Sequence, residues 1–476
     1  MRKKMGILLL FILSFNFCLA SVDVKFFLWF PTYDENQLAY YQKLGFNYCG
    51  IFVGDVTLFS HSNGKWVYNS GNYSSGQPYT DFKNRKATAE KYGFKIVPML
   101  SSLSHTDGWI SLDSTLPEAQ RSISEFNAGN PKPAYNANHL TSGWDAAHIS
   151  NYTAANHVAA AGNYGYNKGM DEIFGEWLKI IKSVYGSTSP EYIHIGHDEF
   201  GYSTVCFVKL GRTKNRTETR SQLVAMEINA RVVGPGQINQ TLGTSTKILI
   251  WGDCLLPYDN GETYGTCGDT TTGSGGTLQI LDNTYGLKSR MTIMPWYYCT
   301  PEGCTGWPDF LRSSDSVAFP IYKEKQISFL NRLGYQYIAC TGEDGSGNGV
   351  PHSDWAGPMM QSCFEWVRIS QMYPNNLVGF GHCIWDPFGN STGTGATKYY
   401  TGWTAPLLAY WGWTYSEKSL QMPRYNSYSS RMLKNVNYLK SRQDMATSGA
   451  NACWIEGTHY FRPPLTGPLL FVPDVN

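Results

Sequence analysis

The chain has 476 residues, with 38 basic against 37 acidic side chains and a net charge of +1 at pH 7. That balance excludes the basic footprint of a nucleic-acid binder, and no apolar run beyond the N-terminus is long enough to span a bilayer. The 15 Trp and 32 Tyr suit a neutral partner such as a sugar, whose C–H faces stack on aromatic rings, although aromatic-rich extracellular proteins share that composition.

In chain order, Arg2, Lys3 and Lys4 precede an apolar run from Met5 to Phe17, and Cys18-Leu19-Ala20 stands before Ser21. A basic start, a short apolar stretch and a small residue at the cut describe a secretory signal peptide over residues 1–20. The mature chain, 21–476, is then expected to be secreted or periplasmic. Cleavage removes three basic residues and no acidic ones, leaving 35 against 37 and a net charge near −2. Ten cysteines remain, an even number in an exported chain, so disulfide bonds are expected. Cys299 with Cys304 and Cys254 with Cys267 are spaced to close small loops, and the remaining connectivity stays open.

Strand and helix patterns then alternate. Val24–Trp29 reads as a strand, Glu35–Leu44 as a helix stopped by Gly45, and Tyr48–Val53 as a second strand. A Gly/Ser/Asn-rich loop leads to a helix around Asp81–Tyr92, and Lys95–Leu100 is a third strand. A long polar insertion from Ser101 to about Asn167 precedes a helix over Met170–Tyr185. There Ile173, Phe174, Trp177, Leu178, Ile180 and Ile181 recur at helical spacing. Tyr192–Gly196 is a fourth strand, Ser221–Val232 a helix and Lys247–Trp251 a fifth strand. A Gly/Thr-rich surface loop spans about Asn260–Gly276. Met291–Trp296 is a sixth strand, Tyr322–Leu333 a helix, Tyr337–Cys340 a seventh strand, Met359–Met372 a helix and Leu377–Ile384 an eighth strand. Trp403–Trp411 and Met432–Arg442 read as terminal helices. Eight strands alternating with helices predict an α/β protein, a (β/α)8 TIM barrel with long βα loops and a C-terminal helical extension. A barrel with long loops can hold most of the mature chain of about 455 residues, so 21–476 is expected to be one catalytic domain with its C-terminal helical extension.

In such barrels the active site lies at the C-terminal ends of the strands. Strand three exits towards His105, strand four into Asp198 and Glu199, strand five through Trp251 to Asp253, strand six through Trp296 to Tyr297 and Tyr298, strand seven into Glu343 and Asp344, and strand eight through Trp385 to Asp386. The segment His194-Ile195-Gly196-His197-Asp198-Glu199 stands out. With strand alternation, His194, Gly196 and Asp198 share the inner face, while Ile193 and Ile195 face a helix layer. Two neighbouring carboxyl groups push each other's pKa values apart, which supplies one acid and one base. Cleavage of a glycosidic bond needs that combination.

Tyr192–Phe200 resembles the H-x-G-G-D-E signature of family 20 glycoside hydrolases, the β-N-acetylhexosaminidases. Lys95–Thr106 (KIVPMLSSLSHT) is similar to that family's strand-three stretch, Leu249–Asp253 (LIWGD) to its strand five and Gly379–Asp386 (GFGHCIWD) to its last strand. The resemblance covers roughly residues 24–415 and implies a retaining, substrate-assisted mechanism. In it the sugar's own 2-acetamido oxygen attacks the anomeric carbon and forms an oxazolinium ion. By resemblance, Asp198 orients the acetamido group, and Glu199 protonates the leaving oxygen and then deprotonates water. His105 stands behind the pair, Trp251, Trp296 and Trp385 wall the pocket, Tyr298 (or Tyr297) holds the acetamido carbonyl, and Asp253 and Asp386 bond sugar hydroxyls. The implied partner is an N-acetylhexosamine-containing glycan, with no cofactor, no metal and no nucleic acid.

The chain also departs from the signature. His197 replaces its second glycine, Ser104 replaces the glycine before the strand-three histidine, and no arginine stands near Trp29-Phe30-Pro31 to grip sugar hydroxyls. Two rivals from other classes remain open: a carbohydrate-binding barrel without catalysis, and a metal-dependent hydrolase using His194 and His197.

Overall fold

The structure, a computed structural model, describes residues 24–29, 31, 33, 35–43, 45–53, 58–101, 115–116, 168–197, 220–252, 255–256, 276–296, 318–343, 366–367, 369–384, 461–462 and 470–471. Eight parallel strands close on themselves: β1 (Lys25–Trp29), β2 (Tyr48–Phe52), β5 (Lys95–Met99), β6 (Tyr192–His194), β7 (Lys247–Trp251), β8 (Met291–Met294), β9 (Gln336–Glu343) and β10 (Leu377–Ile384), which pairs back onto β1. The predicted barrel is therefore present, and all eight predicted strands are in it. Between them run α1 (Glu35–Lys43), α2 (Gln77–Lys91), α3 (Lys168–Tyr185), α4 (Arg220–Val233), the single turn α5 (Ile238–Thr241), α6 (Thr277–Asn283) and α7 (Ala318–Leu333). The predicted helix at Met359–Met372 appears as helical residues at 366–367 and 369–372. The predicted terminal helices, residues 1–20 and the pairs Cys299–Cys304 and Cys254–Cys267 lie outside the described residues.

Strand alternation explains the two cores. Phe26, Leu28, Ile193, Ile195, Ile248 and Ile250 face outward against the helices. Phe27, Trp29, Tyr192, Leu249 and Trp251 face inward and fill the barrel. An eight-stranded barrel has an interior just wide enough to be filled by side chains. Helix α3 contributes the apolar stripe seen in its sequence, with Ile173, Phe174, Trp177, Leu178, Ile180 and Ile181 all at most 3 % exposed. Arg231 on α4 is fully buried beside it, bonding Glu227 Oε1 (2.9 Å), Asp171 and Gln237 Oε1 (3.2 Å). Burial pulls its guanidinium down to about 9, so it is still a cation at neutral pH.

A hairpin of β3 (Phe59–Ser62) and β4 (Lys65–Tyr68) stands in the loop after β2. Asn63 (φ 52°) and Gly64 (φ 76°) make its turn, the left-handed pair that a type I′ hairpin turn requires. The backbone N–H groups of Trp66 and Tyr68 donate to Glu172 (2.7 Å) and Glu176 (3.0 Å) of α3. Four residues of helix rise about 6 Å and two residues of strand about 6.6 Å, so the two spacings match. The carboxylates thus cover a strand edge that would otherwise be free to pair with another chain.

The N-terminal pole of the barrel is closed by charge. Glu191 accepts from Lys25 (2.6 Å), Tyr48 (2.8 Å) and Lys95 (3.1 Å), and Lys25 also donates to Tyr192 (2.9 Å). Burial works against the Glu191 anion, and the bonds from Lys25, Tyr48 and Lys95 overcome it, holding the carboxyl at about 2.

Candidate active site

At the opposite pole, β6 ends in an unusual way. Gly196 has φ 77° and His197, a non-glycine residue, has φ 71°. Left-handed backbone costs a residue with a Cβ about 1–2 kcal/mol. Gly196 is required on two counts. Its φ is left-handed, and a Cβ there would stand 2.6 Å from Ser101 Oγ and 2.9 Å from Ser101 Cα. The ladder to β7 persists through this turn, with Ile195 N donating to Leu249 O (2.9 Å) and Trp251 N to Gly196 O (3.1 Å). The sequence expectation of regular alternation through Gly196 is therefore corrected. The strand ends at His194, and two left-handed residues interrupt the alternation just before Asp198.

Both histidines of the segment are fully buried. The Gly196 N–H donates to His194 Nδ1 (2.9 Å). His197 Nδ1 lies 2.9 Å from the Ile195 carbonyl oxygen, so that nitrogen must carry the proton. The His194 ring sits inside the barrel, edge-on to Trp29 (centroids 5.4 Å apart) and tilted against Trp251 (4.8 Å).

Trp29 lies across the interior at this level. Gly50 on β2 and Gly381 on β10 make room for it. A Cβ at Gly50 would meet the Trp29 ring and stand 2.7 Å from Met99 Sδ, and one at Gly381 would stand 2.9 Å from Trp29 Nε1. The Tyr33 hydroxyl donates to the Gly50 carbonyl (2.6 Å), fixing that part of β2 from the loop after β1. Cys340 and Cys383 complete the interior. Burial first, and the neighbouring Cys383 second, push the Cys340 thiol well above its ordinary pKa, with the Trp29 indole acting the other way. A thiol held protonated is a poor nucleophile and metal ligand.

Of the residues selected from sequence, Trp251 (2 % exposed) and Trp296 (7 % exposed) share this interior cluster with Trp29. Asp198, Glu199, His105, Asp253, Tyr298, Trp385 and Asp386 lie outside the described residues. Cys49, Cys340 and Cys383 are buried thiols rather than disulfide partners. Among the described residues no group of three or more His, Cys, Asp or Glu side chains is placed to hold a metal, and no helix is long and apolar enough to cross a membrane.

Two residues of this pole escaped the sequence reading. Trp29 was seen only as the place where an arginine is lacking. Phe52 ends β2 on the inward face and is 46 % exposed, beside Met99 in the strand register. A large aromatic half open to solvent at the barrel's C-terminal end is a surface on which a ring can stack. The signal for Trp29 was available, because a glycine inside an apolar strand such as YCGIF marks a close approach.

No family model matches the chain, and no curated protein matches it. Among solved structures it is similar to a family 20 β-N-acetylhexosaminidase from Streptomyces coelicolor A3(2), at 12% identity and a TM-score of 0.40, over 82% of this chain and 64% of that one. It is also similar to a β-N-acetylhexosaminidase from Bacteroides fragilis, at 11% identity and a TM-score of 0.40, over 88% and 71%. A third is a family 20 exo-β-N-acetylglucosaminidase from Vibrio harveyi, at 12% identity and a TM-score of 0.43, over 88% and 58%. The chain thus spans less than two thirds of the Streptomyces and Vibrio enzymes. At these identities no residue role transfers from any of the three.

Proposed function

We propose that this chain is an exported glycoside hydrolase, a retaining β-N-acetylhexosaminidase that uses the substrate's own acetamido group as nucleophile. One observation carries the reading: β6 ends at the C-terminal pole of a closed parallel barrel in two left-handed residues, one a strained histidine, directly before two adjacent carboxylic acids. Catalytic residues of such barrels come from the C-terminal ends of strands, and backbone strain concentrates at functional sites. The half-exposed ring of Phe52 at the end of β2 offers a face on which a ring-shaped substrate can stack.

In this mechanism the carboxylate of Asp198 orients the acetamido nitrogen and stabilises the charge that develops on it. Glu199, as the neutral acid, gives its proton to the leaving oxygen, and as the carboxylate it then takes one from water. Export rests on the basic, apolar and small-residue pattern of residues 1–20.

The test is turnover of a panel of aryl glycosides with and without a 2-acetamido group. Only the acetamido sugars should be cleaved, and a thiazoline analogue should inhibit. Glu199→Gln should lose about 10²–10⁴-fold in kcat on poor leaving groups and much less on good ones, since general acid catalysis contributes on that scale. Asp198→Asn should lose activity on all of them. Sugar binding without turnover by the wild type would establish a carbohydrate-binding barrel instead, and either variant matching the wild type would refute the residue roles.

A further inference from the structure

The turn at Gly196–His197 is held by two imidazoles, and it fixes their Nδ1 atoms in opposite roles, one accepting and one donating. His194 Nδ1 accepts the Gly196 N–H, so that nitrogen is bare and the neutral ring carries its proton on Nε2. His197 Nδ1 faces the Ile195 carbonyl, so its Nδ1 carries a proton. One ring grips the N–H of the turn and the other a carbonyl at its start. Both are fully buried, and His194 is wedged between Trp29 and Trp251. At φ 71°, His197 stands where backbone sterics favour glycine. Its ring offers a compensating contact that glycine would lack.

We propose that His194 and His197 form a clasp on this turn, with one Nδ1 bare and the other carrying a proton, and that His197 is a positioning residue for the carboxyl pair bonded to it in sequence. The positioning role rests on the function proposed above; the clasp does not. If backbone geometry alone set the direction of the chain after residue 197, glycine would serve there at least as well as histidine. If the ring sets it, removing the ring leaves the turn free to rotate. Misplacement of a reacting group by about 1 Å costs on the order of 10²-fold in rate.

Two measurements on the full chain test this. The first needs no activity: two-bond 1H–15N spectra of 15N-histidine-labelled protein near neutral pH, with His194→Asn and His197→Asn used for assignment. One assigned histidine should show the Nδ1–H pattern and the other the Nε2–H pattern. The same tautomer at both positions, or averaging between tautomers at either, overturns the clasp. The second compares His197→Gly, His197→Ala and His197→Asn for kcat and KM on an aryl N-acetylhexosaminide. Gly and Ala should lower kcat by more than about tenfold with KM within about threefold, on the scale that misplacement predicts. Asn, which tolerates left-handed backbone and keeps a short donor, should recover part of the loss. Wild-type kcat in His197→Gly refutes positioning by the ring. A wild type that cleaves no such substrate refutes the functional reading instead, and leaves the clasp to be decided by the spectra.

Discussion

Gly50→Ala is the sharpest test of the aromatic floor. Gly50 lies in extended backbone, where alanine is allowed, so its need for glycine comes from space alone. The added methyl would stand 2.7 Å from Met99 Sδ and closer still to the Trp29 ring, against about 3.5–4.0 Å for a comfortable carbon contact. The indole has little room to yield. Phe27 stacks on it at 5.7 Å, His194 and Trp251 meet it at 5.4 and 6.1 Å, and Gly381 lies under its nitrogen. Overpacking of this kind costs about 1–3 kcal/mol, and a fixed neighbour puts the cost near the top of that range. Alanine regains about 0.5–1 kcal/mol by restricting the unfolded chain. The net loss should be about 2 kcal/mol, read as a lower urea midpoint at unchanged slope. In a Trp29→Leu background the clash with the ring disappears and only the contact with the flexible Met99 side chain remains, so the same Gly50→Ala change should cost little. The coupling between the two sites should then be about 2 kcal/mol, within the range found for residues in contact. Equal cost of Gly50→Ala in both backgrounds would refute the account of Gly50 as the space for Trp29.

Glu191 at the N-terminal pole makes a pH prediction. Its folded pKa of about 2 lies below the ordinary 4.5, so its contribution is fully present above about 4.5 and is lost as pH falls towards 2. The carboxylate is 38 % exposed, and solvent screening reduces the contribution to about 1 kcal/mol. Urea midpoints of wild type and Glu191→Gln should therefore differ at pH 7 and converge only as pH falls to about 2; a constant gap would refute the linkage. Arg231→Met should cost about 3–5 kcal/mol, because Asp171 and Glu227 would be left buried without their cation. Replacing all three residues by apolar ones should recover most of that loss in thermal or urea denaturation, and no recovery would show that the ions are not the cause.

The barrel was legible because burial imposes a local rhythm. Each strand alternates between an inner and an outer core, and KILIW and LVGFGHCI were found at their observed bounds. The hairpin was equally local, and Asn63-Gly64 between FSHS and KWVY announced it; it was passed over as a Gly/Ser/Asn-rich loop. Helix α6 was missed at the end of the Gly/Thr-rich stretch, where seven residues give too short a period to read. The aromatic floor was not legible in the same way. It depends on two glycines from β2 and β10 meeting one tryptophan from β1, a coincidence of three strands far apart in sequence. The left-handed turn was half legible, since the histidine in the second-glycine position was visible but its backbone angle was not.

The distribution of strain bears on where the chemistry lies. Three non-glycine residues among those described have positive φ: Tyr33, Asn63 and His197. Asn63 is accounted for by its hairpin turn. The other two follow β1 and β6 at their C-terminal ends, and each is anchored to the barrel interior, Tyr33 through the Gly50 carbonyl and His197 through the Ile195 carbonyl. At the N-terminal pole, by contrast, Lys25, Lys95, Tyr48, Tyr192 and Glu191 satisfy one another in relaxed backbone. A fold that only needed to be stable would have no reason to place its two strained residues at one rim and its mutually satisfied charges at the other. Strain of this order persists only where the surroundings over-determine it. Here the surroundings are the glycine pair, Trp29, Trp251 and the two imidazoles, so among the described residues it is the C-terminal rim where stability has been given up for geometry.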